Sequence, residues 1–585
     1  MNGVAMISNV DISMGILSDF RDGFFNRIVQ EHVLIFVTPD VDGVCAWRIL
    51  RHLLRQGQVL YTLIVVSNKV ELCQQFCLNK DKFDHIVLIN CGANFDVLEV
   101  LEPPDQSIFY ICDSHRPIHV NNFYNQRQIN LITLNENTDD IPKFEDIYND
   151  DLTDNSEGSE DEGDRQRNRM LAAEKRISRR RWERRKQEIL IEYESFSYYT
   201  TSSAVVLFDL AWRLSQDSHQ LLCAIVGQTS QLMLNKTNRD HYIDQIEYLQ
   251  SHVNRLGHSS HAQTQLESRN QDVSISFDEE LTLWLYRHWS LKDALEITML
   301  TSTRFKLFTE GGHKRLQEFL ASIGLPRRDC AQKYSTMNAQ VKNNLNLLFL
   351  QFGDKFGLTR PELFLPSFIL RLSYKTPLSA LDCFWLTLAA LEYQSSSDPT
   401  GNFHTAMENL TCWSMESLEE GMESLQGHLR CLVGQVRALL DTDEVVAFGP
   451  FLYVYVAKSS LLSQNHRNPQ VLSILARYIL SAKAATRNKV AINVHYSLQG
   501  RSKRIVTMPL VLCVDSKVDE NYLYIIGIPP LHGDDDRNIF GQVFDVAVKR
   551  TKARADFRHF DSNCIELHRE DMLKFFEALA SLLSS

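Results

Sequence analysis

The most constraining feature of this chain is a short apolar run, residues 33–37, that is followed almost at once by two aspartates, Asp40 and Asp42. Five consecutive apolar residues predict a fully buried strand, and the pair Thr38-Pro39 ends it. In open α/β sheets, ligands bind in the crevice at the carboxyl ends of the strands. The pattern therefore predicts an acidic site at the end of the first strand, where the next helix begins.

The same alternation of strand and helix continues to about residue 117. Further strands are predicted at 58–67, 85–92 and 107–112, with helices at 46–56, 70–78 and 95–101 between them. Alternation of this kind predicts a parallel sheet that helices cover on both faces. Because the carboxyl ends of parallel strands share one edge, we expect five polar side chains to converge there: Asp40, Asp42, Asn90, Asp113 and His115.

Composition excludes several classes of protein. At 585 residues the chain is too long for one hydrophobic core, so we expect several domains. We find no apolar run long enough to cross a membrane and no secretion signal near the start, so no membrane partner is expected. The twelve scattered cysteines, of which Cys73 and Cys77 lack a second pair for zinc, are typical of reduced thiols in an intracellular protein. The net charge of −12 argues against non-specific coating of nucleic acid.

Two neighbouring segments have opposite charge. Residues 139–164 contain twelve Asp or Glu and one Lys, and we expect a disordered acidic loop because almost nothing apolar is available to bury. Residues 165–190 are predicted to form a basic helix, with eleven Arg or Lys in 165–186. A solvated helix face, a nuclear-import signal in 176–186 and a nucleic-acid contact all remain open for it.

The pattern predicts three domains. Residues 1–225 form an α/β domain that includes the acidic loop and the basic helix, residues 226–440 a helical middle domain, and residues 441–585 a small α/β domain. In the middle domain, 279–300 is predicted as helix and 251–273 as a loop. In the last domain, a helix from 540 to about 555 carries four basic residues, Lys549, Arg550, Lys552 and Arg554.

Three explanations compete for the acidic pair. Asp-x-Asp-Gly at residues 40–43 fits the local pattern of the haloacid dehalogenases, but Thr38-Pro39 separates the strand from the first Asp. Residues 40–43 and 110–117 also resemble the first and signature motifs of the two-metal DHH phosphoesterases. That resemblance places neutral Asn90 and Ser114 where the family has Asp and His, and both are weak ligands for Mn²⁺ or Mg²⁺. The third explanation is a DHH fold without its chemistry.

Further motifs favour the third explanation, because they are similar to those of the Cdc45 family of eukaryotic replication factors, which is related to the RecJ exonuclease. The motifs run from residues 88–94 through 449–453, 527–530 and 540–544 to 559–562 and 565–567. The resemblance implies an N-terminal DHH-type domain, a family-specific helical insertion and a C-terminal DHHA1-like domain.

The resemblance also implies a function. We expect a nuclear, non-catalytic subunit of the replicative helicase that joins the minichromosome-maintenance ring, the GINS complex and a replicative DNA polymerase, and that contacts single-stranded DNA. The alternative is an active metal-dependent single-strand exonuclease or phosphoesterase. If the chain is a non-catalytic subunit, no cofactor and no metal are expected. The chain also has no Gly-x4-Gly-Lys-Ser/Thr nucleotide motif of its own.

Two roles are predicted for the polar side chains. Asp40, Asp42, Asn90, Asp113, Ser114 and His115 are interpreted as the remains of a catalytic site. Asp40 or Asp42 is expected to accept backbone N–H groups at the start of the next helix. The other possibility is a weak metal site, or a single-stranded DNA phosphate bound through a metal. The candidate DNA contacts are basic: Arg116, Lys549, Arg550, Lys552 and Arg554.

Overall fold

The computed structural model describes residues 16–17, 19–134, 140–148, 165–217, 220–263, 273–372, 376–392, 399–410, 415–457, 469–486, 491–492, 506–516, 519–531 and 537–584. An N-terminal parallel sheet, a large number of helices and a second, C-terminal sheet make up the fold, so the predicted α/β class is confirmed.

The N-terminal sheet has five strands in the order β2-β1-β3-β4-β6, and every neighbouring pair is parallel. The strands are β1 His32–Val37, β2 Leu60–Val65, β3 His85–Ile89, β4 Ile108–Cys112 and β6 Ile129–Leu131. A small antiparallel pair, β5 His115–Arg116 with β7 Tyr198–Tyr199, lies beside it. Val37, Ile89 and Cys112 are level with one another across β1, β3 and β4, which brings the ends of these strands to one edge.

Both faces of this sheet are buried. Along β1, Val33 and Ile35 pack into one hydrophobic cluster, whereas Leu34 and Phe36 pack into another on the opposite face. A strand buried on both faces needs apolar residues at every position, which is why the sequence has a continuous apolar run here instead of an alternating one. The N-terminal helices are Asn26–Ile28, Val41–Gln56, Lys69–Asn79, Val97–Leu101, Val120–Tyr124, Phe144–Ile147, Arg165–Tyr193, Ser203–Arg213 and Leu221–Met233, with a π-helical turn at Arg21–Phe25.

The predicted acidic loop is ordered at its start. Residues 140–148 include the helix Phe144–Ile147, in which Ile147 is buried, so the prediction of disorder is wrong for this part. Residues 149–164 lie outside the described residues. Burial of Ile147 stabilises this helix. The acidic composition of the whole segment concealed the contribution of this one apolar residue. The basic segment forms the helix Arg165–Tyr193.

The middle of the chain is mainly helical but also contains a sheet that the sequence analysis missed. Strands β8 Val273–Leu281, β9 Phe364–Leu372 and β10 Leu378–Ser379 form an antiparallel sheet in the order β10-β9-β8. The predicted helix at 279–300 is wrong at its start, because residues 279–281 end β8 and the helix begins at Leu291. The predicted loop at 251–273 is also wrong, since the helix Arg239–Gln263 covers most of it. Pairing between residues as far apart as 273 and 372 is not visible in a local hydrophobic period.

The helices of the middle segment are Arg239–Gln263, Leu291–Ile297, Met299–Phe305, Glu310–Ser322, Arg327–Cys330, Ala339–Gly353, Arg360–Leu363, Ala380–Glu392, Pro399–Asn409 and Met415–Asp441, with 3₁₀ turns at Tyr334–Thr336 and Asp354–Phe356. No helix in the described ranges is long and apolar enough to cross a membrane.

The C-terminal sheet has six strands in the order β11-β12-β15-β16-β18-β17, in which β12 and β15 are parallel and the other pairs are antiparallel. The strands are β11 Val446–Phe448, β12 Phe451–Val456, β15 Leu510–Asp515, β16 Tyr522–Ile528, β17 Ala555–Asp556 and β18 Cys564–His568, and a separate pair is formed by β13 Ala491–Ile492 and β14 Val506–Thr507. The helices are Pro469–Thr486, Phe540–Thr551 and Met572–Ser584, with a 3₁₀ turn at Arg569–Asp571.

One hydrophobic cluster crosses the predicted domain limits. It contains buried residues of β1, of the middle helices and of the helix Pro469–Thr486. Trp284 packs against Trp385 and Tyr478, and the Tyr478 hydroxyl lies 2.7 Å from the Ser302 hydroxyl. The limits 1–225, 226–440 and 441–585 therefore stay a prediction, while the three parts share a core.

Candidate functional site

Asp40 caps the helix that follows β1. Its Oδ1 accepts a hydrogen bond from the backbone N–H of Gly43 at 2.5 Å, as the sequence analysis expected of one of the two aspartates. A Cβ at Gly43 would lie 2.6 Å from both Asp40 Oδ1 and the carbonyl oxygen of Thr38, so no side chain fits this turn. The tight turn holds the Asp40 carboxylate at the edge of the sheet.

Asp42 is buried and binds a different helix. Its carboxylate accepts hydrogen bonds from the N–H groups of Ser203 and Ala204, at 3.0 and 3.1 Å, and from the hydroxyl of Ser202 at 2.5 Å. These groups lie at the N-terminus of the helix Ser203–Arg213, where unpaired N–H groups and the helix dipole stabilise a negative charge. Asp42 therefore ties the start of the helix Val41–Gln56 to a helix 160 residues later.

Asn90 supplies a neutral donor between the two carboxylates. Its side-chain N–H₂ lies 3.3 Å from Asp40 Oδ1 and 3.2 Å from Asp42 Oδ2, and its Oδ1 accepts from the Ser203 hydroxyl at 2.6 Å. The residue has a φ of 56°, a conformation that asparagine adopts more readily than most residues. The amide therefore bridges two acidic groups that would otherwise repel each other.

Asp113 and His115 form a buried ion pair. Asp113 Oδ2 accepts from the N–H groups of Gly92 and Ala93 at 2.9 Å, and its Oδ1 lies 2.6 Å from His115 Nδ1. Burial opposes ionisation of Asp113, but His115 and these N–H groups outweigh it and hold its pKa well below the usual value. Ser114, also buried, contributes its carbonyl oxygen to the Thr200 N–H at 2.9 Å.

The C-terminal part of the chain closes the site through Asp561. Its Oδ1 lies 3.0 Å from His115 Nε2 and accepts a hydrogen bond from the Tyr199 hydroxyl. Burial opposes a charged imidazole, but the carboxylates of Asp113 and Asp561 raise the pKa of His115 to about 9. His115 is therefore a cation at neutral pH, held between two carboxylates.

Lys236 is the second cation of the site. Its Nζ lies 3.6 Å from Asp561 Oδ1 and 4.3 Å from the centre of the Tyr199 ring. Burial disfavours the ammonium, but the carboxylates of Asp561 and of the aspartates at the strand ends raise its pKa above the usual value. Sequence reasoning missed Lys236 altogether, because no local pattern marks it, and used Asp561 only as part of the motif at 559–562.

Burial raises the pKa of both members of the acidic pair. Burial is the largest influence on Asp40 and raises its pKa to about 6, against the opposing effect of Lys236. Burial also raises the pKa of Asp42, although the hydrogen bonds from Ser202 and Asn90 oppose it. Mutual repulsion of the carboxylates is thus relieved by hydrogen bonds and by the lysine, while burial shifts both acids towards the protonated form.

The residues present do not fit the two metal ions that the DHH resemblance implies. Asn90 turns N–H donors, not lone pairs, towards Asp40 and Asp42, and the Lys236 ammonium contributes a positive charge beside them. In the part of the chain that the structure describes, no three His, Cys, Asp or Glu side chains are grouped so that they could hold a metal ion. A divalent ion needs several such oxygen or nitrogen ligands around one point.

Among the candidate DNA contacts, Arg116 is buried, which corrects the prediction for this residue. Arg116 is 3% exposed, and its guanidinium donates to the carbonyl oxygens of Asp113 and His115 and to the Thr133 hydroxyl. It is enclosed by its own chain and is not available to a DNA phosphate.

The four basic residues near 550 do not share one helix. The helix ends at Thr551, Lys552 has a left-handed backbone, and Arg554 pairs with Glu570 and Asp571 in the next segment. Lys549 is exposed and pairs with Asp545, and Arg550 is exposed near Ser581. The predicted helix to about residue 555 was too long, because a left-handed residue ends it.

Comparison with known proteins adds the family. The family model described as CDC45 matches residues 33–163 and 133–582 of this chain. The mouse and human proteins named "Cell division control protein 45 homolog" are each 36% identical to it over 580 residues, which cover 97% of this chain and 100% of each relative. The crystal structure of CDC45 from Entamoeba histolytica has the same fold, with a TM-score of 0.67 and 20% identity over 97% of this chain and 100% of that chain.

Proposed function

This chain belongs to the Cdc45 family, and from that premise we propose that it is a nuclear, non-catalytic subunit of the eukaryotic replicative helicase, needed to initiate and continue DNA replication. The observation that carries the proposal is a match that extends along almost the whole chain and not over one domain alone. Its partners in this proposal are the minichromosome-maintenance ring, which hydrolyses the ATP, the GINS complex, a replicative DNA polymerase and single-stranded DNA.

The non-catalytic part of the proposal rests on the closed polar network at the strand ends. Asn90 bridges the acidic pair, His115 pairs with Asp113, and Lys236 lies beside Asp561. Each of these contacts uses a group that a metal-dependent hydrolase would need for metal or water. Chemistry at this crevice would require the network to be taken apart.

Co-purification tests the assembly. The full-length protein, tagged at its own locus, is isolated from the chromatin of replicating cells, and the bound subunits are identified by mass. We expect subunits of the minichromosome-maintenance ring and of GINS in amounts comparable to the tagged chain, and none of them from an untagged strain. A tagged protein that purifies without either set would overturn the proposal.

A nuclease assay tests the absence of chemistry. Purified protein is incubated with Mn²⁺ and a labelled single strand, alongside the variant Asp113→Ala. We expect no cleavage above the level of the variant. Metal-dependent cleavage that disappears in Asp113→Ala would support the alternative function, a single-strand exonuclease.

Contact with single-stranded DNA in this proposal is made by exposed basic side chains. Lys549, Arg550, Lys552 and Arg554 are the exposed members of the candidate set, and the helix Arg165–Tyr193 adds exposed arginines such as Arg180 and Arg184. Binding through phosphates should weaken steeply as salt is added, because counterions are released. An affinity that does not change with salt would remove DNA from the list of partners.

A further inference from the structure

The crevice at the strand ends gathers four carboxylates from two distant parts of the chain. Asp40, Asp42 and Asp113 follow strands of the N-terminal sheet, and Asp561 belongs to the turn between β17 and β18 of the C-terminal sheet. A group of buried carboxylates is costly unless positive charge or hydrogen-bond donors balance it. In a two-metal site the metal ions bring that charge. Here the residues do not fit such ions, so the charge must come from the protein.

Lys236 is held where that charge is needed. The helix Leu221–Met233 ends just before it, Asn235 has a φ of 50°, and the Lys236 N–H donates to the carbonyl oxygen of Gln231 at 2.7 Å. The Asn235 carbonyl oxygen accepts from Arg477 at 3.3 Å, so the turn is also tied to the helix Pro469–Thr486. The backbone position of the lysine is therefore set by contacts on both sides, and its ammonium lies over the Tyr199 ring, which favours a cation.

The turn that carries Asp561 makes several contacts with the N-terminal sheet domain. The Phe560 carbonyl oxygen accepts from the Asn94 side chain at 2.5 Å, and the Phe560 and Phe95 rings stack with 6.5 Å between their centres. The Arg558 carbonyl oxygen accepts from the Lys69 N–H at 2.8 Å. Asp561, bound to His115, Tyr199 and Lys236, lies at the centre of this contact.

From this arrangement we propose that Lys236 is a built-in cation that takes the place of metal charge in the crevice, and that its pairing with Asp561 fastens the C-terminal α/β unit to the N-terminal sheet. The crevice then stabilises the contact between the two domains and does not bind a ligand. Lys236 is a positioning residue in this account, since it acts through Asp561 and touches no substrate.

The first variant removes the charge but keeps the length of the side chain. In Lys236→Met, the four carboxylates lose their ammonium partner, so the turn around Asp561 should open more often. We expect hydrogen exchange of the peptides that contain residues 93–97 and 558–562 to become about tenfold faster, while the peptide of the C-terminal helix Met572–Ser584 keeps its protection.

A readout that general damage would not produce is the behaviour of the double variant Lys236→Met/Asp561→Asn. Because Lys236 acts through Asp561, exchange at residues 93–97 in the double variant should be no faster than in Asp561→Asn alone, whereas the effects of two independent lesions would add. The matched control is Lys549→Met, whose exposed lysine pairs only within its own helix among the contacts described. It should match the wild type in exchange.

Several results would overturn the proposal. They are wild-type exchange in Lys236→Met, or exchange in the double variant that equals the sum of the two single effects. If Lys236→Met does not fold, Asp561→Asn provides the second test, since it keeps the shape of the turn and removes the charge. Faster exchange at 93–97 in this variant supports a stabilising role of Asp561 at the contact between the two domains, and unchanged exchange refutes that role. None of these measurements depends on replication, so their failure is distinct from failure of the proposed function.

Discussion

Replacing Asn90 with aspartate should destabilise the protein in a way that depends on pH. The Asn90 amide donates to both Asp40 and Asp42, at 3.2 to 3.3 Å, and a carboxylate there can donate to neither. The variant Asn90→Asp instead adds a third carboxylate to a buried group. Burial and like charge both favour the neutral acid, which retains one O–H donor. The folded variant therefore takes up a proton that the unfolded chain releases.

The free energy needed to keep the new carboxyl protonated sets the size of the destabilisation. Keeping an aspartate protonated costs about 1.4 kcal/mol for each pH unit above its reference pKa of about 3.9, or roughly 5 kcal/mol at pH 7.5 and 2 kcal/mol at pH 5.5. Because the new carboxyl has a raised pKa in the folded state, its penalty is small at low pH and grows as pH rises towards that pKa. At about 2 °C per kcal/mol, the low end of the range because this chain is long, the midpoint should fall by about 10 °C at pH 7.5 and by about 4 °C at pH 5.5.

Thermal unfolding of variant and wild type in both buffers measures this difference. The control Asn90→Ala removes the amide without adding a carboxyl, so its loss of stability should change much less with pH. A midpoint for Asn90→Asp equal to that of the wild type at pH 7.5, or a loss of the same size at both pH values, would refute the view that Asn90 is a required donor.

Three other predictions concern packing at Gly227, the pH dependence of the His115 contribution and the buried Arg116. In Gly227→Ala, the new Cβ would lie 2.6 Å from the Ala204 Cβ, so we expect a loss of about 1–3 kcal/mol in thermal unfolding, whereas Gly434→Ala, with open space around the Cβ, should be neutral or stabilising. The folded pKa of His115 is about 9, above its unfolded value, so the stability difference between wild type and His115→Gln should be fully present below about pH 6.5 and vanish as pH rises through 9. Unfolding midpoints at pH 6 and 9.5 check this, and a constant difference would contradict it. Arg116→Gln should lower the thermal midpoint but leave any affinity for single-stranded DNA unchanged, as measured by fluorescence anisotropy at low temperature.

The N-terminal sheet was predictable because its signals are local. The apolar runs that form β1, β3 and β4 are uninterrupted and are followed by polar residues, so strand positions and the shared polar edge follow from the order of residues alone. The cap at Asp40 was predictable for the same reason, since a cap and its helix lie within four residues. Acidic composition, by contrast, hid the helix at Phe144–Ile147, because an average over a segment conceals a single buried residue.

The partners of the site were not predictable in the same way. Asp42 binds the Ser202 hydroxyl 160 residues away, and His115 binds Asp561 at a separation of 446 residues. Ser202 and Ser203 had a weak signal, since a hydroxyl-rich turn before a helix indicates a cap, but nothing indicated which carboxylate they would meet. Arg116 looked available beside a predicted crevice and is instead enclosed by its own loop.

By itself, the sequence determined the class of fold and the edge of the sheet where the acidic residues gather, and its resemblance to the DHH motifs predicts that Asn90 and Ser114 stand where that family has metal ligands. Only the tertiary structure decided what balances those acids: the N-terminus of the helix Ser203–Arg213, the Lys236 ammonium and the turn at Asp561. The physical reason is the separation along the chain of the residues that interact. Strands and caps are selected by neighbouring residues, whereas the charge balance of a buried site depends on whichever distant groups the docking of helices and sheets brings within a few ångströms.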